Sequence, residues 1–184
     1  MTRTLVLAGA VLAVFLPNLH RLSREVVGAA ESDALKHIWS QWLVRDQVLS
    51  GSLSMQTHLL NFPGGGPFFS LDTVNALLGL PLAVVLGSTM AFNLVLILSL
   101  IAAALAGAAL TRQLTDTPWA DVLGGLAFAL SAWVFAFPLA SGVTETIVFW
   151  PVPLVLLCAW KTLEHPSLRW PILTGILLTL QGIA

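Results

Sequence analysis

At 184 residues, 57% hydrophobic and only 9% charged, with a mean hydropathy of +0.90, the chain is far too apolar for a water-soluble domain; such domains carry about a quarter of charged residues. A formal net charge of −1 excludes the basic surface that nucleic acid requires, and a single cysteine, Cys158, excludes an intrachain disulfide. Long apolar runs broken by short polar stretches predict an all-α polytopic membrane protein, because a helix satisfies its own backbone hydrogen bonds in lipid.

The first run extends from Leu5 to Leu16 and on to Leu19, behind Arg3, and predicts a helix over 5–19 that Pro17 ends or kinks. Its length also fits a secretory signal, but the small-residue site at Gly28–Ala30 follows four charged groups, too late for cleavage, so an uncleaved helix is preferred. About half of the charged residues then gather between His20 and Asp46. Over 33–50, helical spacing puts Leu35, Ile38, Trp39, Trp42, Leu43 and Leu49 on one face and Asp33, Lys36, His37, Ser40 and Gln47 on the other. That is the pattern of a helix lying in the membrane plane with its tryptophans at headgroup depth, Trp39 and Trp42 towards lipid or the bundle and Lys36 and Ser40 towards water. Asp46 interrupts the apolar face.

Residues 51–72 read as a loop from their glycines and prolines, and "PGGGP" (63–67) is a turn, since no Lys-Ser/Thr follows to make it a phosphate loop. The segment 73–86, "TVNALLGLPLAVVL", is apolar but too short to span and is broken by Gly79 and Pro81, which suggests a second interfacial helix. The outer loop therefore runs over 20–88 with two interfacial helices. Four more apolar runs predict helices at 90–111, 119–137, 146–161 and 170–184, giving about five transmembrane helices in one membrane domain, 1–184. The small residues of "AAALAGAAL" (102–110) allow close helix packing. The last run stops short of the roughly 20 residues a span needs, so the domain is expected to be truncated.

If 73–86 crossed the membrane, Arg112, Lys161 and Arg169 would lie opposite Arg3; if it lies flat, all four share a side. Lys and Arg accumulate on the cytoplasmic side, which favours the flat arrangement. The expectation is a multi-pass protein of the cytoplasmic (inner) membrane with its N-terminus inside. The loop "PLASGVTET" (138–146), carrying Glu145, then emerges on the outer face beside Glu31 and Asp33.

A carboxylate retained at a membrane boundary points to function. Asp33 also stands where a helix N-cap would, with Ser32 able to share that task, and Glu145 could stabilise the start of the helix at 147. His37, one turn beyond Asp33, either orients it or belongs to the polar face. The four histidines lack metal-ligand spacing.

The order of these elements, with "SDALKHIW" (32–39), "LNFPGGGPFFSLDTVNALLGLPL" (60–82), "AFNLVLILSLIAAALAGAALTRQL" (91–114) and "SGVTETIVFWPVPLVLL" (141–157), resembles the GT-C superfamily of integral-membrane glycosyltransferases. The likeness is to the bacterial branch that uses polyprenyl-phosphate sugars. It implies transfer of a sugar from that lipid donor to an acceptor on the extracytoplasmic face. The first-loop acid would act as general base on the acceptor hydroxyl, a role that falls to Asp33, with Glu31 as fallback and Glu145 in support. Polyprenyl phosphate leaves with little acid help, whereas the acceptor needs deprotonation and positioning. His37, Arg45 and His58 are the candidates for holding substrate. Some relatives in that superfamily hold a divalent metal such as Mg or Mn through acids of both loops, for which Glu31, Asp33 and Glu145 could supply part of a ligand set. The later helices that normally complete the lipid-sugar pocket lie beyond this stretch, so on its own it is expected to be inactive. The alternative is a lipid-linked-substrate transporter, flippase-like protein or non-catalytic scaffold; the absence of a charge central to any span argues against transport.

Overall fold

The computed structural model describes residues 2–29, 32–52, 54, 56–67, 73–143 and 149–182, with the side chains of 73 and 74 excepted. The expected all-α architecture holds. α1 (Thr2–Phe15) gives way at Leu16–Arg21 to a tighter 3₁₀ turn. Pro17 explains the change: it has no N–H to continue the α ladder and its fixed φ suits a turn start. Leu7, Val11 and Phe15, spaced by four, form the buried stripe of α1, while Leu5, Leu12 and Leu16 face outward.

α2 (Ala34–Ser50) stops at Gly51, whose φ of +69° suits the left-handed helix cap that glycine adopts without a Cβ clash. Beyond it, β1 (Gln56–Thr57) and β2 (Gly66–Pro67) pair antiparallel around the glycine-rich turn. α3 (Thr73–Leu86) has the expected bounds but is not broken: the helix runs through Gly79 and Pro81. Gly87, at φ +83°, turns the chain directly into α4 (Ser88–Leu114).

At 27 residues α4 is about 40 Å long, and α1, α2, α3, α5 and α7 all pack on it. The helix expected over 119–137 is interrupted. α5 (Ala120–Ala129) breaks at Leu130–Ser131, and the chain resumes as a short α6 (Ala132–Val134) leading into a π turn, Phe135–Leu139, that contains Pro138. α7 (Pro151–Glu164) begins at Pro151, later than the expected 146, because proline is favoured at a first helical position. α8 is Arg169–Gly182.

The close packing expected of the small residues in α4 is realised against α5. A Cβ on Gly107 would lie 3.3 Å from the Cα of Gly125, and one on Gly125 would overlap the Ala104 carbonyl. Leu7, Val11, Leu96, Leu100, Ala103 and Ala104 form the centre of the core between α1 and α4.

Among the described residues, three helical stretches are long and apolar enough to cross a membrane: Thr2–Arg21, Ser88–Leu114 and Ala120–Leu139. Many large apolar side chains on them face outward, such as Leu5, Leu98 and Leu123, as lipid contact requires. α7 and α8, at 14 residues each, extend about 21 Å, less than the roughly 30 Å of bilayer hydrocarbon.

Candidate functional site at the loop end of the bundle

The two ends of the bundle are chemically distinct. At one end, Asp121 at the start of α5 is 3% exposed and is gripped by two arginines. Arg112 Nε from the end of α4 donates to Oδ2 at 2.7 Å, and Arg3 Nη1 from the start of α1 lies 3.2 Å from the same oxygen. Arg3 also stands over the Trp119 ring at 5.4 Å. Gln113 reaches Glu164 at the end of α7, which pairs with Lys161 at 2.9 Å. Arg3, Arg112 and Lys161 therefore share one end.

The other end is organised by Asn93. This α4 residue is fully buried, and its side chain makes three hydrogen bonds to the backbone that leaves α1. Its Oδ1 accepts from Val27 N–H at 2.9 Å, and its Nδ2 donates to the carbonyls of Leu22 at 2.7 Å and Glu25 at 2.8 Å. The end of α1 and the start of α4 thus sit together. The chain from Leu22 to Gly87 leaves and returns at the same end, so α3 is not a single crossing between them. The flat or shallow placement expected for 73–86 meets this requirement.

From the Asn93 clamp the first loop runs onto the chain at Ala140–Gly142, just past the π turn. Ala29 N–H donates to the Ala140 carbonyl at 3.3 Å, and Asp33 N–H donates to the Ser141 carbonyl at 2.9 Å. Gly142, at φ +66°, is packed so closely that a Cβ would stand 2.6 Å from the Ala34 nitrogen and 2.7 Å from Ser32 Oγ. The two loops expected to meet do meet. Glu31 and Glu145, the acids predicted to face each other across them, lie outside the described residues.

Asp33 occupies the N-cap position of α2, but its side chain does not cap the helix. The exposed carboxylate instead accepts from Lys36 Nζ at 2.8 Å. The Lys36 hydrogen bond and charge hold the Asp33 carboxyl below the usual carboxylate range. Ser32 Oγ offers Ala34 N–H only a long contact of 3.4 Å. The acid is therefore ionised, accessible and not committed to capping. A hard divalent cation wants six or more oxygens, and two of the three acids expected to supply them, Glu31 and Glu145, lie outside the described residues. Asp33 brings one carboxylate already engaged by an ammonium, and among the described residues no three His, Cys, Asp or Glu side chains gather.

The amphipathic expectation for α2 holds only in part: Leu43 is buried and Asp33 exposed as expected, but much of the polar face does not meet water. His37, Ser40 and Gln41 are buried at 3%, 2% and 4% exposure, whereas Leu35, Trp42 and Leu49 face out. The hydrophobic-face argument assumes water behind a membrane-surface helix, but here protein lies behind it: α2 packs on α3 and α4. Lys36 is only partly exposed and Ser40 does not reach water. Asp46 is exposed on the outward side. Arg45, half-buried, lies two turns along the inward face from His37. His58 sits exposed in the β1–β2 turn, and no hydrogen bond or ion pair among the described residues ties it to α2.

Sequence reasoning missed Asn93, Asp121 and Gln41. A lone asparagine in the apolar run "AFNLVL" was the available signal for the first, since a polar side chain inside such a run needs partners. Asp121 reads as one acid among several in "TDTPWAD". No family model, curated protein or solved structure matches this chain.

Proposed function

We propose that the chain is the membrane part of a glycosyltransferase that moves a sugar from a polyprenyl-phosphate donor to an acceptor on the extracytoplasmic face. The observation that carries this reading is the exposed Asp33 carboxylate at the junction of the two loops, free of any capping role. The acceptor hydroxyl takes the place of Lys36 beside Asp33, which then receives its proton as the sugar carbon changes partners; Glu145 supports it from the facing loop and Glu31 is the fallback base. A carboxylate held low is a weak base, so positioning contributes as much as proton transfer.

The reading has five crossings, formed by α1 with its 3₁₀ turn, α4, α5 with the π turn, α7 and α8. Trp150, Trp160 and Trp170 stand near the ends of α7 and α8, where interfacial tryptophans anchor short spans. The N-terminus is inside. Arg21, Arg24, Lys36 and Arg45 balance the four basic residues of the other end in number. They belong, however, to a loop longer than the roughly 60 residues over which the charge rule operates.

A lipid-binding protein without chemistry is the second reading, and the inward polar face of α2 favours it. Sugar transfer from a polyprenyl-phosphate donor, assayed in membranes at matched expression, separates the two. Asp33→Asn is expected to lower turnover by about 10²–10⁴-fold. Turnover close to wild type in Asp33→Asn of the full-length protein, with Glu31→Gln inactive, moves the base to Glu31; absence of transfer by the full-length wild type under any donor leaves the second reading.

A further inference from the structure

A cleft of about 340 Å³ opens where α1 and its 3₁₀ turn meet the π turn, and none of its lining residues belongs to the sugar-transfer site. Its inner wall is Phe15, Leu22 and Leu139, each of them buried. Two contacts hold it in shape. The buried Asn93 amide fixes the backbone of Leu22, Glu25 and Val27 along one side. Gly28, at φ +141°, brings that backbone against the π turn, where a Cβ would stand 3.4 Å from the Leu139 carbonyl oxygen. A wall tied down by a buried side chain makes the cleft preformed.

The cleft has two unlike edges. On one, Val14 and Phe135 are 37% and 40% exposed, on helical stretches apolar enough to lie in lipid. On the other stand Asn18, Arg21 and Glu25. Thr2–Phe15 rises about 21 Å as an α-helix, and Leu16–Arg21 adds about 12 Å as a 3₁₀ turn. Together they match the roughly 30 Å of bilayer hydrocarbon. A crossing α1 therefore carries Arg21 and Glu25 to headgroup level and leaves Val14 among acyl chains. Arg21 and Glu25 face each other as an ion pair at 3.4 Å, with side chains 54% and 60% exposed. An exposed pair at that distance contributes little and opens readily. Arg21 Nε is engaged by His20 at 3.2 Å, while its Nη2 has no partner among the described residues.

A cation and an anion side by side at headgroup level, beside an apolar edge that meets lipid, match a lipid whose head carries both charges. We propose that the cleft binds the head of phosphatidylethanolamine. The phosphate takes the Arg21 guanidinium, whose fork fits phosphate oxygens, and the ammonium donates to the Glu25 carboxylate. Each charge of the opened pair thus regains an opposite partner. Asn18 donates its amide to a phosphate or ester oxygen, and the acyl chains leave past Val14 and Phe135. At the lower end of the roughly 300–1,000 Å³ of ligand pockets, the cleft suits a head with its glycerol and leaves the chains outside. Phosphatidylcholine offers Glu25 a cation without N–H groups, and phosphatidylglycerol offers it no cation. The inference goes beyond the proposed sugar transfer and stands without it.

The test uses the purified protein in detergent, offered equal amounts of dioleoyl phosphatidylethanolamine, phosphatidylcholine and phosphatidylglycerol, with bound lipid read by native mass spectrometry. Phosphatidylethanolamine is expected to be held about tenfold more tightly than either, the worth of a hydrogen bond between charged groups. Glu25→Gln should bring it down to the level of phosphatidylcholine. Arg21→Gln should weaken both by about tenfold, and Arg21→Lys should restore part. Arg24→Gln, which removes an exposed charge outside the cleft, should leave binding unchanged. The ratio of two lipids on one protein does not depend on how much of it is folded, so selectivity separates lost binding from lost folding. Equal binding of the three lipids, a preference for phosphatidylglycerol, or undiminished selectivity in Glu25→Gln would overturn the site. So would an Arg24→Gln variant weakened as much as Arg21→Gln. Glycerophosphoethanolamine, the same head without chains, should fail to displace the lipid at equal concentration; displacement by it would overturn the lipid as the occupant.

Discussion

Replacing Asn93 by alanine should release the first loop while leaving the other end of the bundle folded. The side chain holds three backbone groups, and their environments differ. The Leu22 carbonyl is in a buried hydrogen bond, whereas those of Val27 N–H and the Glu25 carbonyl are partly exposed. Orphaning the first costs about 1–3 kcal/mol, and exchanging the other two for water costs about 0.5–1.5 kcal/mol each. Alanine returns roughly 0.6 kcal/mol as the better helix former, so the net loss is about 1–5 kcal/mol. That lies below the roughly 5–15 kcal/mol total of a typical domain, so the result should be local opening and not collapse. Hydrogen exchange in detergent is the assay. Amide protection should fall at Val27, Ala29 and Asp33, which hang from this clamp, and persist in α4 and α5 near Asp121. Asn93→Asp keeps the acceptor for Val27 but turns an oxygen towards two carbonyls, and should open the loop at least as far. Unchanged protection at Val27 in both variants would refute the clamp; uniform loss across the molecule would refute its local character.

At the opposite end, Arg112→Ala should lower the melting temperature more than Arg3→Ala, since Arg112 makes the shorter contact to Asp121, 2.7 Å against 3.2 Å. Asp121→Ala should exceed both, because it leaves two guanidinium groups without their shared carboxylate; equal effects from all three would show the cluster to be incidental. The Asp33–Lys36 pair sets a pH dependence. A carboxyl lowered in the folded state contributes stability that is full above its ordinary value of 3.8 and is lost as pH falls through the lower folded value. The acid limb of sugar transfer should therefore lie below the ordinary carboxylate range, and Lys36→Met should move it upward; a pH–rate profile unmoved by that substitution would detach Asp33 from the rate.

Much of the fold is legible in the sequence because apolar periodicity and proline act locally. The bounds of α3, the start of α2 and the change of helix at Pro17 all follow from such signals. The interruption of α5 and the π turn escape them, since Pro138 can be read as the end of a helix as easily as a distortion within one. The orientation of α2 is illegible for a different reason. A helix moment gives a polar and an apolar side, but which is buried depends on whether water or a polar site lies behind the helix. Here His37, Ser40 and Gln41 point into protein. The meeting of the Asp33 and Ser141 loops is legible once the crossings are counted, whereas Asn93 and Asp121 act through partners far away in sequence, which no local pattern encodes.

In the proposed function, Asp33 lies on the outer side of the membrane, on a loop that leaves and returns at one end of the bundle. Thiol labelling tests this most directly. On a Cys158→Ala background, which removes a buried thiol, Ser52→Cys and Thr117→Cys each place a single cysteine at an exposed position, on the first loop and on the α4–α5 connection. A membrane-impermeant maleimide applied to intact cells should modify Ser52→Cys and spare Thr117→Cys until the cells are opened. Modification of both from outside, or of Thr117→Cys alone, would contradict the account.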